Sequence, residues 1–183
     1  MKQAAVFLDR DGVLNVAAVR AGKPYPPDQA SNVVIFSDVS DGLAALRRAG
    51  FALIVVTNQP DVARGRTSRD AVDGINRRVS EALCLDTILT CFHDDVDQCE
   101  CRKPKAGLLF KMQRERQIDL GSSFMVGDRW RDIEAGRNAG CRTVFIDRGY
   151  SEPKPIGLAD FCCDSFGAAA RWILTSSNKE DIK

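Results

Sequence analysis

The chain has 183 residues, with 26 lysines and arginines against 25 aspartates and glutamates and a formal net charge of +1 at pH 7. That length suits one domain with a substantial core, and the charge balance argues against a dedicated nucleic-acid binder, which is usually plainly basic. Hydrophobic residues at 44% and charged residues at 28% are globular values, and no apolar run nears the ~20 residues of a membrane helix or the make-up of a secretory signal, so a cytoplasmic protein is expected.

Residues 4–8 read as a buried strand, ending in Asp9-Arg10-Asp11-Gly12-Val13-Leu14-Asn15. The stretch 20–33, with Pro24, Pro26 and Pro27, reads as a loop over that strand's mouth. Val39, Leu43 and Leu46 then recur at helical spacing, with Gly50 as C-cap. A second strand over 51–57 leads into Thr57-Asn58. Next comes a helix carrying Val72, Ile75, Val79 and Leu83, opened by a capping-box-like Thr67-x-x-Asp70. Strand 88–92, helix 108–117, strand 124–127, helix 133–139 and strand 143–146 complete the alternation. Such alternation predicts an α/β fold with a parallel sheet covered by helices on both faces. One domain over residues 1–175 is expected, followed by a polar tail over 176–183.

In sheets of this kind, ligands bind at the carboxyl ends of the strands. The predicted strand ends carry Asp9 and Asp11, then Thr57, then Asp128, with Lys103 in a loop before a helix. A carboxylate can attack phosphorus and form an acyl phosphate. Its charge repels an anionic substrate, so a hard cation must bridge the two, and Mg²⁺ suits oxygen donors. Asp9, Asp128 and the backbone carbonyl of Asp11 are the candidate ligands. Asp11 is the candidate general acid and base, its pKa expected to be raised by acidic neighbours. Thr57 and Lys103 are placed to neutralise phosphoryl oxygens. Each feature alone has a bland explanation as a turn, a cap or a solvated lysine. Their joint order along successive strand ends favours a phosphatase.

Seven cysteines are present, and Cys91-x-His93-x5-Cys99-x-Cys101 gathers three of them around the only histidine. Three thiolates and an imidazole make a closed tetrahedral Zn²⁺ set, which points to a structural rather than a catalytic metal. The site would brace Arg102 and Lys103. Cys84, Cys141, Cys162 and Cys163 are expected to pack as small hydrophobes.

On the Asp9, Thr57, Lys103 and Asp128 motifs the sequence resembles the haloacid dehalogenase superfamily of phosphatases. That resemblance implies a Rossmann-like three-layer sandwich with Asp9 as nucleophile, Asp11 as acid and base, and Asp132 as an indirect metal contact. The Cys-x-His…Cys-x-Cys-Arg-Lys-Pro segment, with Asp-Arg-Asp-Gly before it, narrows the likeness to the D-glycero-D-manno-heptose 1,7-bisphosphate 7-phosphatases. Related histidinol-phosphate phosphatases share much of the pattern. By this resemblance Arg102 and Arg129 contact substrate, and Arg10, Asn58, Gln59 and Arg64 are further substrate-binding candidates. The substrate class implied is a small phosphorylated sugar, and a monomer without nucleic-acid or membrane partners is expected. The intervals between motifs leave no room for a large cap domain, so loops such as 17–31 and 94–102 would set specificity. The chain departs from the pattern at Ala17-Ala18-Val19-Arg20, at Pro60 and in the length of the cysteine loop. Histidinol phosphate is the enzymatic alternative, and a phospho-receiver domain is the alternative outside catalysis.

Overall fold

The computed structural model describes residues 2–177; of the tail expected over 176–183, Ser176 and Ser177 belong to the last helix and 178–183 lie outside the described residues. In chain order the elements are β1 (Ala5–Leu8), β2 (Ala18–Arg20), β3 (Lys23–Tyr25), α1 (Val39–Arg48), β4 (Ala52–Asn58), α2 (Arg69–Leu83) and β5 (Thr87–Cys91). Then follow α3 (Gly107–Arg116), β6 (Phe124–Gly127), α4 (Trp130–Asn138), β7 (Arg142–Ile146), β8 (Phe161–Cys163) and α5 (Phe166–Ser177). Six strands form one sheet in the order β5-β4-β1-β6-β7-β8. Every pairing in it is parallel.

Both faces of the sheet are buried, which is why its strands are almost continuously apolar. Val6 and Leu8 of β1, with Leu53 and Val55 of β4, pack under α1, α2 and α5. Ala5 and Phe7, with Ala52, Ile54 and Val56, pack under α3 on the opposite side. Gly136 of α4 lies against Met125 and Thr143 on that same side. The result is a three-layer α/β sandwich without a large cap domain. Among the described residues no helix is long and apolar enough to cross a membrane.

Four details differ from the sequence reading. The expected loop contains an antiparallel hairpin, β2 with β3, that pairs Arg20 with Lys23. Its two-residue turn, Ala21-Gly22, has φ of 49° and 73°, the left-handed pair that suits the twist of a hairpin. Strand β8 and helix α5 were not anticipated. Helix α2 is capped one residue later than expected, by Ser68, whose hydroxyl accepts from the Ala71 N–H at 3.1 Å. Finally, Cys84 and Cys162 are exposed, so only Cys141 and the half-buried Cys163 serve as small core residues.

Candidate active site

Three neighbouring strands bring the acidic and hydroxyl residues together. Strand β1 is central, and just past its end the Asp9 N–H donates to the Val126 carbonyl of β6 at 2.9 Å. The chain then turns back, with the N–H groups of Leu14 and Asn15 both donating to the Arg10 carbonyl. Gly12 sits in this turn at φ +91°, where any side chain would overlap the Asp128 carboxylate. Glycine is needed there for both reasons. At the end of β6, Gly127 similarly leaves room for Asp132, the first-turn carboxylate of α4.

Lys103 Nζ lies at the centre of the cluster, 2.6 Å from Asp9 Oδ1 and 2.6 Å from Asp132 Oδ1. It also donates to the Val56 carbonyl at 2.7 Å. Its loop is fixed to β4 by reciprocal bonds, Lys103 N–H to Asn58 Oδ1 at 3.1 Å and Asn58 Nδ2 to the Lys103 carbonyl at 3.0 Å. Burial lowers the ammonium's pKa, but Asp132 and Asp9 more than offset that and hold it above the ordinary lysine value. It therefore stays charged.

The carboxylates facing it are under electrostatic pressure. Burial, with Asp132 and Asp11 adding and Lys103 opposing, pushes Asp9 up to about 6. Burial, Asp9 and Asp132 raise Asp128 well above the usual carboxylate range. Asp9, Asp128 and Asp132 each offer an oxygen within 4.8 Å of the others. Both Asp128 oxygens are shielded from solvent without a hydrogen bond of ordinary geometry, although the Tyr150 hydroxyl is close enough to favour the ionised carboxyl. Converging, buried, under-satisfied oxygens are what a hard divalent cation needs, and Mg²⁺ fits this donor set. Asp132 is already occupied by Lys103 and by the Arg129 N–H at 3.0 Å, which suits an indirect contact.

The Asp11 carboxylate has a different set of partners. Its carboxylate accepts from Arg10 Nη2 at 2.8 Å, Gln59 Nε2 at 2.8 Å and Asn15 Nδ2 at 3.0 Å. Burial raises its pKa, but Arg10 and these donors outweigh that and hold it below the usual range. The expected upward shift from acidic neighbours is thus reversed. Arg10 itself is wholly buried. It lines neither the cavity nor the cleft described below, where the sequence reading expected a substrate contact.

A cavity of about 60 Å³ is lined by Asp9, Asp11, Thr57, Asn58, Lys103, Arg129 and Asp132, with Pro24, Tyr25, Pro26 and Arg131 completing the wall. Thr57 is buried and accepts from Gln59 Nε2 at 2.8 Å, so Gln59 links Thr57 to Asp11. A wider cleft of about 260 Å³ shares Pro24, Tyr25, Pro26, Asn58 and Arg129 with the cavity and adds Lys23, Arg64 and Arg66, with Asp61 and Glu152 as counter-charges. Arg64 pairs with Asp94 at 2.6 Å, and Arg129 pairs with Glu152. Arg102 lies elsewhere, with Nε 2.8 Å from Asp95 Oδ1, and faces the cysteine loop instead of the cavity. Tyr25 and Arg131 were missed. Tyr25 lay in a segment read as irregular, and Arg131 is one of many arginines with no motif to mark it.

Cys91 at the end of β5 meets His93, Cys99 and Cys101 as the spacing predicted. Cys101 Sγ is 3.2 Å from Cys91 Sγ and 3.4 Å from Cys99 Sγ, Cys91 Sγ is 3.7 Å from Cys99 Sγ, and His93 Nδ1 is 3.3 Å from Cys101 Sγ. Tetrahedral zinc with ordinary bond lengths separates sulfur ligands by about 3.7 Å. The four side chains fit that ion. Cys99→Ser is expected to lower the zinc content below one per chain and to reduce thermal stability, which metal analysis and a melting curve would show. Full occupancy in the variant would remove Cys99 from the site.

A family model described as HAD-hydrolase-like matches residues 100–169. The curated D-glycero-beta-D-manno-heptose-1,7-bisphosphate 7-phosphatase of Haemophilus influenzae is 35% identical over 178 residues, covering 88% of this chain and 91% of that protein. Its counterpart from Escherichia coli K12 is 33% identical, covering 94% of this chain and 88% of the relative. Among solved structures, the D,D-heptose 1,7-bisphosphate phosphatase of B. bronchiseptica, complexed with magnesium and phosphate, superimposes with a TM-score of 0.79 at 26% identity, covering 94% and 99% of the two chains.

Proposed function

Because the chain belongs to the D-glycero-beta-D-manno-heptose-1,7-bisphosphate 7-phosphatase family of HAD-like hydrolases, we propose that it removes the 7-phosphate of a heptose bisphosphate through a phospho-enzyme on Asp9. The observation that carries this reading is the Asp9–Lys103 pair beside Asp128, in a cavity that also presents Thr57 and Asp11.

Asp9, Asp128 and the Asp11 carbonyl would hold Mg²⁺, which when bound neutralises charge between carboxylate and phosphate. An Asp9 carboxylate oxygen attacks phosphorus, and the bond from phosphorus to the sugar oxygen breaks. Asp11, protonated for this half of the cycle, gives its proton to that oxygen. Asp11 then accepts a proton from water as the water oxygen attacks the phospho-aspartate, releasing phosphate and restoring Asp9. Its lowered pKa suits the second half, and the proton that hydrolysis leaves on it is the one the first half of the next cycle uses. Lys103 and Thr57 face the phosphoryl oxygens throughout.

The cleft beside the cavity supports a doubly anionic substrate. Lys23, Arg64, Arg66 and Arg129 outnumber Asp61 and Glu152 there, a balance unfavourable to the cationic histidinol phosphate. The same reading takes residues 1–175 as one catalytic domain, supported by the single sheet shared by both core layers. It also takes the enzyme as a cytoplasmic monomer.

Phosphate release with Mg²⁺ from both heptose 1,7-bisphosphate anomers, histidinol phosphate and fructose 1,6-bisphosphate tests the substrate. A strong preference for a heptose bisphosphate is expected, and even activity across the panel would discard that assignment while keeping the chemistry. Metal binding has its own readout. Mg²⁺ at a hundred times its Kd should stabilise the fold by about 2.7 kcal/mol, seen as a raised Tm. Asp128→Asn should abolish that rise.

A further inference from the structure

Helix α2 contributes a side chain to this site although no motif marks it. Asn76 follows the buried Ile75, and its Oδ1 accepts from Arg10 Nη1 at 2.6 Å. Its Nδ2 donates to Thr90 Oγ1 of β5 at 3.0 Å, and the guanidinium, which can only donate, fixes the sense of the amide. The oxygen therefore faces Arg10. Arg10 in turn directs Nη2 at 2.8 Å and Nε at 3.2 Å onto the Asp11 carboxylate. A guanidinium is planar and presents its donors as a rigid fork. Holding one edge on Asn76 thus fixes the angle at which the other edge meets Asp11.

We propose that Asn76 is a positioning residue for Asp11, acting through the Arg10 guanidinium and held in turn by Thr90. The inference rests on the assignment of Asp11 as general acid and base. The physical reasoning is geometric. A proton donor must stand within hydrogen-bond reach of the departing sugar oxygen, and small misplacements reduce rate steeply. Asn15 and Gln59 each contact Asp11 from one side. Arg10 alone contacts it with two nitrogens, so loss of the Asn76 end allows the carboxylate to tilt.

The test compares two leaving groups. An alkyl ester such as the sugar phosphate needs a proton on its departing oxygen, whereas p-nitrophenolate leaves readily without one. In the first turnover, Asn76→Ala should slow release of the sugar alcohol by about 10- to 100-fold, with KM within about twofold and first-turnover release of p-nitrophenolate nearly unchanged. Thr90→Val, which frees only the far end of the amide, should show a weaker form of the same selectivity. Asp11→Asn serves as the reference in the same first turnover, before hydrolysis of the phospho-enzyme draws on Asp11 for either ester, and should be at least as selective for the alkyl ester. If Asp11→Asn slows the first-turnover release of both leaving groups alike, the assignment of Asp11 as general acid fails and the inference fails with it. If Asp11→Asn is selective while Asn76→Ala is neutral, or slows both esters alike, Asn76 has no positioning role and the assignment of Asp11 stands.

Discussion

Asp9→Asn is expected to abolish phosphate release while leaving a folded protein that is more stable than the native one in the absence of metal. The activity half follows from the chemistry, since an amide oxygen is a poor nucleophile and no acyl phosphate forms. The stability half follows from burial. Burial, with Asp132 and Asp11 adding and Lys103 opposing, pushes the Asp9 carboxyl to about 6 from its ordinary 3.8. A carboxyl with a raised folded pKa opposes folding once it ionises. That penalty is absent below the ordinary value, grows as pH rises between the two, and is complete above about 6. Asparagine resembles the protonated form, so the variant should gain on the order of 2–3 kcal/mol at pH 7. The gain should vanish near pH 4. Urea denaturation of metal-free protein at the two pH values measures it, and a variant less stable at pH 7 would contradict the electrostatic account. Appreciable residual turnover would remove Asp9 as nucleophile.

Lys103→Met is expected to damage both activity and stability. The native ammonium is 2% exposed and sits between Asp9 and Asp132 at 2.6 Å from each. Methionine approximates its length and leaves Asp9, Asp128 and Asp132 buried together without a cation. Breaking a buried pair in this way costs about 3–5 kcal/mol. Loss of one preorganised charge at the phosphoryl group should lower kcat by about 10²- to 10³-fold. Lys103→Arg should not restore either property, because a planar fork does not fit a point-charge position between two carboxylates and a carbonyl. Equilibrium unfolding and steady-state kinetics of the two variants decide this. A methionine variant of native stability would show that the carboxylates do not depend on the ammonium.

Much of the fold was legible because both faces of the sheet are buried. Short runs of Val, Ile and Phe separated by helical spacing leave few other arrangements. The hairpin was not legible. Its turn uses Ala21 at φ 49° where asparagine or aspartate would signal the geometry, and the nearby prolines suggested irregular chain. The α5 signal was present, since Phe166, Ala169, Ala170 and Ile173 recur at helical spacing and are all buried, and it was overlooked. At the site, motif order singled out Asp9, Thr57 and Asp128, which lie at the ends of neighbouring strands, and Lys103, which reaches them from the loop before α3. Arg10 was read as a substrate contact, whereas the structure buries it and turns its guanidinium onto the Asp11 carboxylate. No sequence spacing connects Asn76 to Arg10. That contact depends on how α2 lies across the sheet.

The strand order has a consequence for how the molecule comes apart. Strand β1 is flanked on both sides and leads directly into Asp9, whereas β5 is an edge strand and carries Cys91 at its end. Amide protons of β1 should exchange with solvent only through global opening, and those of β5 through smaller excursions at the rim. Zinc at Cys91 would fasten that rim. Chelation should therefore quicken exchange along residues 87–91 well before it does so at 5–8, dividing the sheet into a slow centre and a metal-dependent margin.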